Sequence, residues 1–383
     1  MGIINQDVIE FIQSLYKTKG FIPLHEPRFL GNEKKYLSEC IDSTFVSSVG
    51  KFVDQFESMV CDFTGARYAI ATVNGTAALH VALRLVGVDN GDEVITQPLS
   101  FIATCNAISY CNARPIFVDV DLDSMGMSPK SLRAFLSTHT RQDSGVCINV
   151  ATGNKIAAVV PMHTFGLPCR IEEIEKICKE FNIPLVEDAA ESLGSYSGGK
   201  HTGTFGKVGT LSFNGNKTIT TGGGGMIITN DAALAKSAKH ITTTSKLPHP
   251  YEFIHDEVGY NYRLPNINAA LGCAQMESLP SILKAKRELA LAYANFFLES
   301  GIDCAKEIVG SHSNYWLNAI KLESRPQRDS FLKDLNDAGV MSRPIWRLMN
   351  NLKMFSGCQK TDLSNAEWLE DRVINIPSSS RIQ

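Results

Sequence analysis

The chain alternates short, nearly unbroken apolar runs with segments that turn apolar every three or four residues. That alternation restricts the fold more than any other feature of the sequence. Tyr68–Val73, Glu93–Thr96, Pro115–Asp119, Ile156–Val160 and Ile183–Glu187 are the apolar runs, and each is short enough to be a strand. Between them, Thr76 opens a helical pattern carried by Leu79, Leu83 and Val86, and Phe101–Tyr110 reads as a second helix. Ser128-Pro129 starts a third, with proline at the first helical position, and Ile171, Ile174, Ile177, Cys178 and Phe181 share one face of a fourth. Strands apolar on both faces, divided by amphipathic helices, imply a mostly parallel sheet covered on both sides, an α/β fold. A helix over Val8–Tyr16 precedes this region. Thr210–Phe213 and Gly225–Thr229 read as a later strand pair joined through a glycine-rich turn. From about Met276 the pattern restarts: a long helix with Leu283, Leu289 and Tyr293 leads into a smaller αβ region ending near Ile376. The expected division is a helical extension over 1–20, a large αβα domain over 21–275 and a small αβ domain over 276–383.

Composition narrows the function. A hydrophobic fraction of 44% with 20% charged residues supplies a large core. Lys plus Arg number 37 against 40 Asp plus Glu, a formal net charge of −3, so no basic field draws the chain to nucleic acid or an anionic membrane. No apolar run reaches the roughly 18 residues a membrane span needs. The first residues lack a secretory pattern, and Gln6 stands where a myristoylation motif beginning at Gly2 needs Ser or Thr. Ten cysteines are scattered without a Cys-x-x-Cys pair, which reads as reduced thiols rather than disulfides or a zinc site. The expected compartment is the cytoplasm, with no metal.

In open α/β sheets ligands gather beyond the carboxyl ends of the strands. The residues standing there are Asn74–Ala77, Gln97–Phe101, His163, Asp188 and Asn214–Lys217. Asn74-Gly75-Thr76-Ala77 joins a turn to a helix start, where free amides suit a phosphate, although such turns are common. Phe101 offers a stacking face, or simply core. Asp188 ends an apolar strand; a cation opposite it would compensate its burial, and helix capping accounts for it as well. Lys217 follows another strand and precedes Gly222–Gly225, glycines that allow a turn, a close backbone approach, or both. Taken together, a phosphate cradle, an aromatic face, a buried carboxylate and a lysine match the needs of pyridoxal 5′-phosphate: the amine holds the cofactor covalently, and the carboxylate keeps its ring nitrogen protonated.

With these residues in place the sequence resembles the DegT/DnrJ/EryC1/StrS group of sugar-nucleotide aminotransferases, from about Ile22 to Ile376. Gly75–Leu79, Pro161–Pro168, Glu187–Ala190, Ser212–Gly225, Gly259-Tyr-Asn-Tyr-Arg263 and Asn268–Ala270 carry the resemblance. It implies a fold type I architecture, like aspartate aminotransferase, with Lys217 as the catalytic, cofactor-bonding lysine and Asp188 as the ring-nitrogen partner. Gly75, Thr76, Ala77, Ser212 and Asn214 fall to cofactor binding, the phosphate going to Thr76, Ala77 and Ser212, and Phe101 stacks on the ring. Asn261 corresponds to an asparagine that reaches the phosphate from a neighbouring subunit, which implies a homodimer with a shared site. Glu191 stands where many members carry His or Gln and is expected to face the cofactor 3-hydroxyl.

Within the group, Glu187–Glu191 together with Asn214–Lys217 is similar to enzymes of bacillosamine and legionaminic acid synthesis. That similarity implies L-glutamate as amino donor and C4 of a UDP-linked 4-keto-6-deoxy-N-acetylhexosamine as acceptor, with Phe45, Val46, Ser47, Ser48, Arg343 and Trp346 lining the sugar-nucleotide site. Two other readings stand beside it. One is a deoxysugar dehydratase using the same cofactor, against which Lys217 speaks because histidine replaces that lysine there. The other is a non-catalytic protein that binds pyridoxal phosphate or a sugar nucleotide.

Overall fold

A computed structural model describes residues 5–381. Seven strands of the large sheet are β1 (Tyr68–Thr72), β2 (Glu93–Thr96), β3 (Arg114–Phe117), β4 (Ile156–Val160), β5 (Val186–Asp188), β6 (Val208–Ser212) and β7 (Gly225–Thr229). Ladders run β1-β7-β6-β5 and β4-β2-β3, and parallel bridges Val159 to Leu185 and Met162 to Asp188 join the two sets. Every neighbour pair is parallel except the two made by β7, which enters antiparallel between β1 and β6. The expected parallel sheet is therefore present, with one reversed strand. The reason is local: β6 and β7 are joined by a short connection, and only a helical crossover could have brought β7 back parallel.

Burial explains why these runs are continuous rather than alternating. All five residues of β4 and β7 and all four of β2 are buried, because helices lie on both faces. Helix α1 (Gly75–Leu85) begins at the end of β1 and buries Ala78, Leu79, Ala82 and Leu83, while α2 (Ile102–Tyr110) packs against it. A hairpin, Thr140–Asp143 with Val146–Asn149, was not expected. Its turn, Ser144-Gly145, has positive φ at both residues (52° and 83°), which accounts for its tightness.

The small sheet is antiparallel, in the order β8 (Asp303–Cys304), β9 (Asn318–Lys321), β11 (Val373–Ile376), β10 (Arg343–Pro344). The restart expected at Met276 is not an element boundary. One helix, α3 (Asn266–Ser300), runs through it and through Pro280 without a break. Its first half buries Ala270, Cys273 and Leu279 in the core beside Phe56 and Phe213, and its second half buries Leu289, Tyr293 and Phe297 beneath the small sheet. The N-terminal helix (Asn5–Tyr16) joins that second core through Val8, Ile9 and Ile12; residues 1–4 of the expected extension, Gly2 among them, lie outside the described residues. Seven of the ten cysteines are buried, and all ten are free thiols. No helix among the described residues is long and apolar enough to cross a membrane.

Candidate active site

The carboxyl ends of β5 and β6 bring the two residues singled out by the sequence to one place. Asp188, the last residue of β5, accepts a 2.6 Å hydrogen bond from the Thr104 hydroxyl and one of 3.2 Å from the Ala190 amide. Burial pushes its pKa up, while Thr104, Ala190 and the charge of Lys217 pull the other way. Lys217 sits on the turn after β6, its amide bonded to the Asn214 carbonyl, and its Nζ lies 3.1 Å from Glu191 Oε1. The same ammonium rests over the Trp316 ring, 4.0 Å from the centroid, and the Trp316 indole N–H donates to the Asn216 carbonyl at 2.7 Å. Glu191 is buried, and its other oxygen accepts the Phe165 amide at 2.9 Å. Burial raises its pKa to about 7 even against the pull of Lys217.

Opposite these groups stands the start of α1. Asn74 caps it, accepting the Ala77 amide at 2.8 Å, so that amide is already satisfied within the chain. The Gly75 and Thr76 amides and the Thr76 and Ser212 hydroxyls have no partner among the described residues. Thr76 and Ser212, expected at the phosphate, thus keep open donors, as does Gly75, while the Ala77 amide is engaged by Asn74. Close approach makes the cluster: a Cβ on Gly75 would meet Ser212 Cβ at 2.9 Å, and one on Gly225 would meet the Asn74 carbonyl carbon at 2.4 Å. The glycine run is thus a strand connection and a close backbone approach at once. This donor set fits pyridoxal phosphate: open amides and hydroxyls at a helix N-terminus for the phosphate, an amine for its aldehyde, and a buried carboxylate for its ring nitrogen.

Other expected residues divide. Phe101 is 48% exposed and meets Trp346 edge-on at 6.2 Å; Trp346 packs on Phe165 at 4.9 Å, and Phe165 on Trp316 at 6.5 Å. An aromatic row therefore links Phe101 and Trp346 to the wall behind Lys217. Asn214 is exposed, with its amide toward Asn216. Phe45–Ser47 form an exposed loop, with Ser48 half-buried after it, held by Asn266, whose side chain donates to the Phe45 carbonyl at 2.7 Å. Arg343 turns to the Ser342 carbonyl and to Asn336, and Asn261 accepts from Arg263 at 3.0 Å, so neither reaches the Lys217 cluster within one chain. Thr104, Phe165 and Trp316 are the contributors that the sequence reading missed. Thr104 carried a local signal, a hydroxyl in the first turn of the helix that follows a strand end; Trp316, about a hundred residues from Lys217, carried none.

Comparison with known proteins identifies the family. Residues 29–383 match the model of the DegT/DnrJ/EryC1/StrS aminotransferase family. The chain is 38% identical over 359 residues to a GDP-perosamine synthase of Escherichia coli O157:H7, covering 94% of this chain and 93% of that one. It is 35% identical over 360 residues to a GDP-perosamine synthase of Vibrio cholerae, covering 93% and 94%. Among solved structures, the aminotransferase TlmJ of Streptoalloteichus hindustanus superposes with a TM-score of 0.86 at 25% identity, over 95% of both chains. The chain belongs to the DegT/DnrJ/EryC1/StrS aminotransferase family and is a pyridoxal-phosphate-dependent sugar-nucleotide aminotransferase.

Proposed function

We propose that this enzyme moves the amino group of L-glutamate to C4 of a nucleotide-linked 4-keto-6-deoxy sugar, with Lys217 as its catalytic residue. The observation that carries the proposal is the meeting of the Lys217 ammonium, the buried Glu191 and the buried Asp188 at adjoining strand ends. When bound, pyridoxal phosphate supplies an electron sink for bond breaking at the amine-bearing carbon. Asp188 would hold the protonated ring nitrogen, and the Thr104 hydroxyl fixes that carboxylate in place. Thr76 and Ser212, with the Gly75 and Thr76 amides, would grip the phosphate, and Phe101 would cover the ring. Lys217 takes the proton from Cα of glutamate as general base, and later delivers a proton to C4 of the sugar, which sets the configuration of the new amine.

The sequence resemblance supports a UDP-linked N-acetylhexosamine as acceptor. A second reading, a GDP-linked sugar, is favoured by the names of the two synthases at 38% and 35% identity. Phe45–Ser48, Arg343 and Trp346 are the proposed walls of the sugar-nucleotide site in either case. The shared-site homodimer is part of the same proposal. What supports it is that Tyr251, Phe253 and Val258, 90%, 80% and 84% exposed, lie just before Asn261, an apolar segment suited to a second copy of the chain.

Incubation with glutamate and a panel of UDP-, dTDP- and GDP-linked 4-keto-6-deoxy sugars tests the assignment. The expected result is a 4-amino sugar with one equivalent of 2-oxoglutarate, the UDP-N-acetyl substrate turning over fastest. A GDP substrate turning over faster would replace the acceptor. Water loss from the sugar without amine transfer would establish the dehydratase reading, and a loaded protein inert with every sugar would establish the non-catalytic one.

A further inference from the structure

One costly side chain takes no part in the chemistry described so far. Lys286, in the second half of α3, is fully buried; burial pulls its pKa down to about 7, and no carboxylate among the described residues pairs with it. His25, which feels the charges of both Lys286 and Lys217, is kept neutral by burial and by those charges, so it brings no compensating charge. What receives the buried amine is backbone. It donates to the Trp316 carbonyl at 3.0 Å and to the Ser378 carbonyl at 2.9 Å. A methionine would fill the same space without an ionisable group to desolvate, but both carbonyls would lose this donor. The position therefore carries an unpaired buried amine whose work is to fix two carbonyls, and one of these belongs to the residue whose ring lies over Lys217.

We propose that Lys286 is a positioning residue for Lys217 and acts through Trp316. The proposal rests on Lys217 as the reacting amine, as assigned above. Trp316 is held at three points: its amide donates to the Asn314 side chain at 2.9 Å, its carbonyl accepts from Lys286, and its indole N–H donates to the Asn216 carbonyl at 2.7 Å. Asn314 is fixed in turn, donating to the Glu191 and Leu193 carbonyls at 2.9 Å each. The ring so placed stands 4.0 Å from the Lys217 ammonium, and its N–H pins the peptide immediately before Lys217. Backbone and amine of Lys217 thus rest on a single ring, and Lys286 sets where that ring is rooted. The other carbonyl gives Lys286 a braced support. The Ser378 hydroxyl accepts the Asn318 amide at 2.8 Å, and the Ser378 amide donates to the Leu24 carbonyl at 2.7 Å. Proton transfer depends steeply on where the base stands, and an error of about 1 Å can cost about a hundredfold.

The test compares Lys286→Met, Trp316→Leu and the double variant with wild type, counting turnover per cofactor trapped on Lys217 by borohydride. Lys286→Met should lower kcat about ten- to a hundredfold while KM for glutamate and for the sugar stays within about twofold. Trp316→Leu should lower kcat at least as far, and adding Lys286→Met to it should change kcat by less than about twofold, because the path runs through the ring. In cofactor-free protein the Trp316 indole proton, identified by its loss in Trp316→Leu, should exchange with solvent at least about tenfold faster in Lys286→Met. Lys286→Gln, whose amide can still donate to one carbonyl, carries the same cycle and the same exchange measurement if the methionine variant does not fold. Effects of the two substitutions that multiply, or indole exchange that does not change, with cofactor trapped on Lys217 in the wild type, would overturn the proposal and leave the aminotransferase assignment standing. Failure to trap cofactor on Lys217 at all would remove both.

Discussion

Two buried glutamates, four residues apart on one segment, meet opposite fates. Glu187 accepts backbone amides from Gly203, Phe205 and Gly206 at 2.6–2.7 Å and pairs with His163 at 3.1 Å. Burial alone would raise its pKa, but His163 and these amides overcome it and hold the carboxyl below its ordinary range. Glu191 is equally buried, yet has one amide and one ammonium, and is pushed up to about 7. Burial is common to both, so the number and fixity of donors decides which carboxylate is locked as an anion and which stays free to titrate. The locked one staples the 203–206 turn to β5 and so fixes Asp188 next to it. The free one sits with the reacting amine.

Removing the amine should have the largest effect on this contrast. Lys217→Ala is expected to lower turnover by about a thousandfold or more and to abolish reducible attachment of cofactor, measured by steady-state assay and borohydride trapping. Glu187→Ala attacks the other side: three buried amides and His163 lose their acceptor, at a cost of about 3–5 kcal/mol in denaturant unfolding. Wild type should lose that same contribution as pH falls through the lowered Glu187 pKa, the stability being fully present above the ordinary carboxylate range. Glu191→Gln should act in the reverse direction and more weakly. Because the folded pKa of Glu191 is raised, the folded state holds a proton that the unfolded chain has released, and stability of cofactor-free protein declines as pH rises from about 4.5 to about 7. The Gln variant should flatten that decline, gaining on the order of 3 kcal/mol at most at pH 8. Loss of stability at pH 8 in Glu191→Gln would show that the two glutamates are not different in kind.

The strands were readable because burial on both faces forces apolar continuity, as in Ile156–Val160, and the helix starts because proline and glycine mark them. Asp188 and Lys217 were readable because strand ends in such sheets carry ligands. What stayed hidden depends on distance along the chain. Trp316 reaches Lys217 only through the packing of the small sheet on α3, and Phe165 offers its amide to Glu191 only because its backbone is left-handed, at φ 57°. The helix through Met276 hid its change of surroundings for a related reason: Cys273, Leu279 and Ile282 face one core and Leu289, Tyr293 and Phe297 the other, so the apolar period changes while the helix continues. The Ser144-Gly145 hairpin, by contrast, had a turn signal that a closer reading of polar segments would have found.

That helix has a further consequence. A single rod forming a wall of two cores makes the halves of the molecule inseparable as inherited parts. A crossover between genes anywhere in 266–300 would join a wall shaped for one interior to a neighbour shaped for another, so exchange among relatives should favour breakpoints at the rod's ends and leave its length to pass intact.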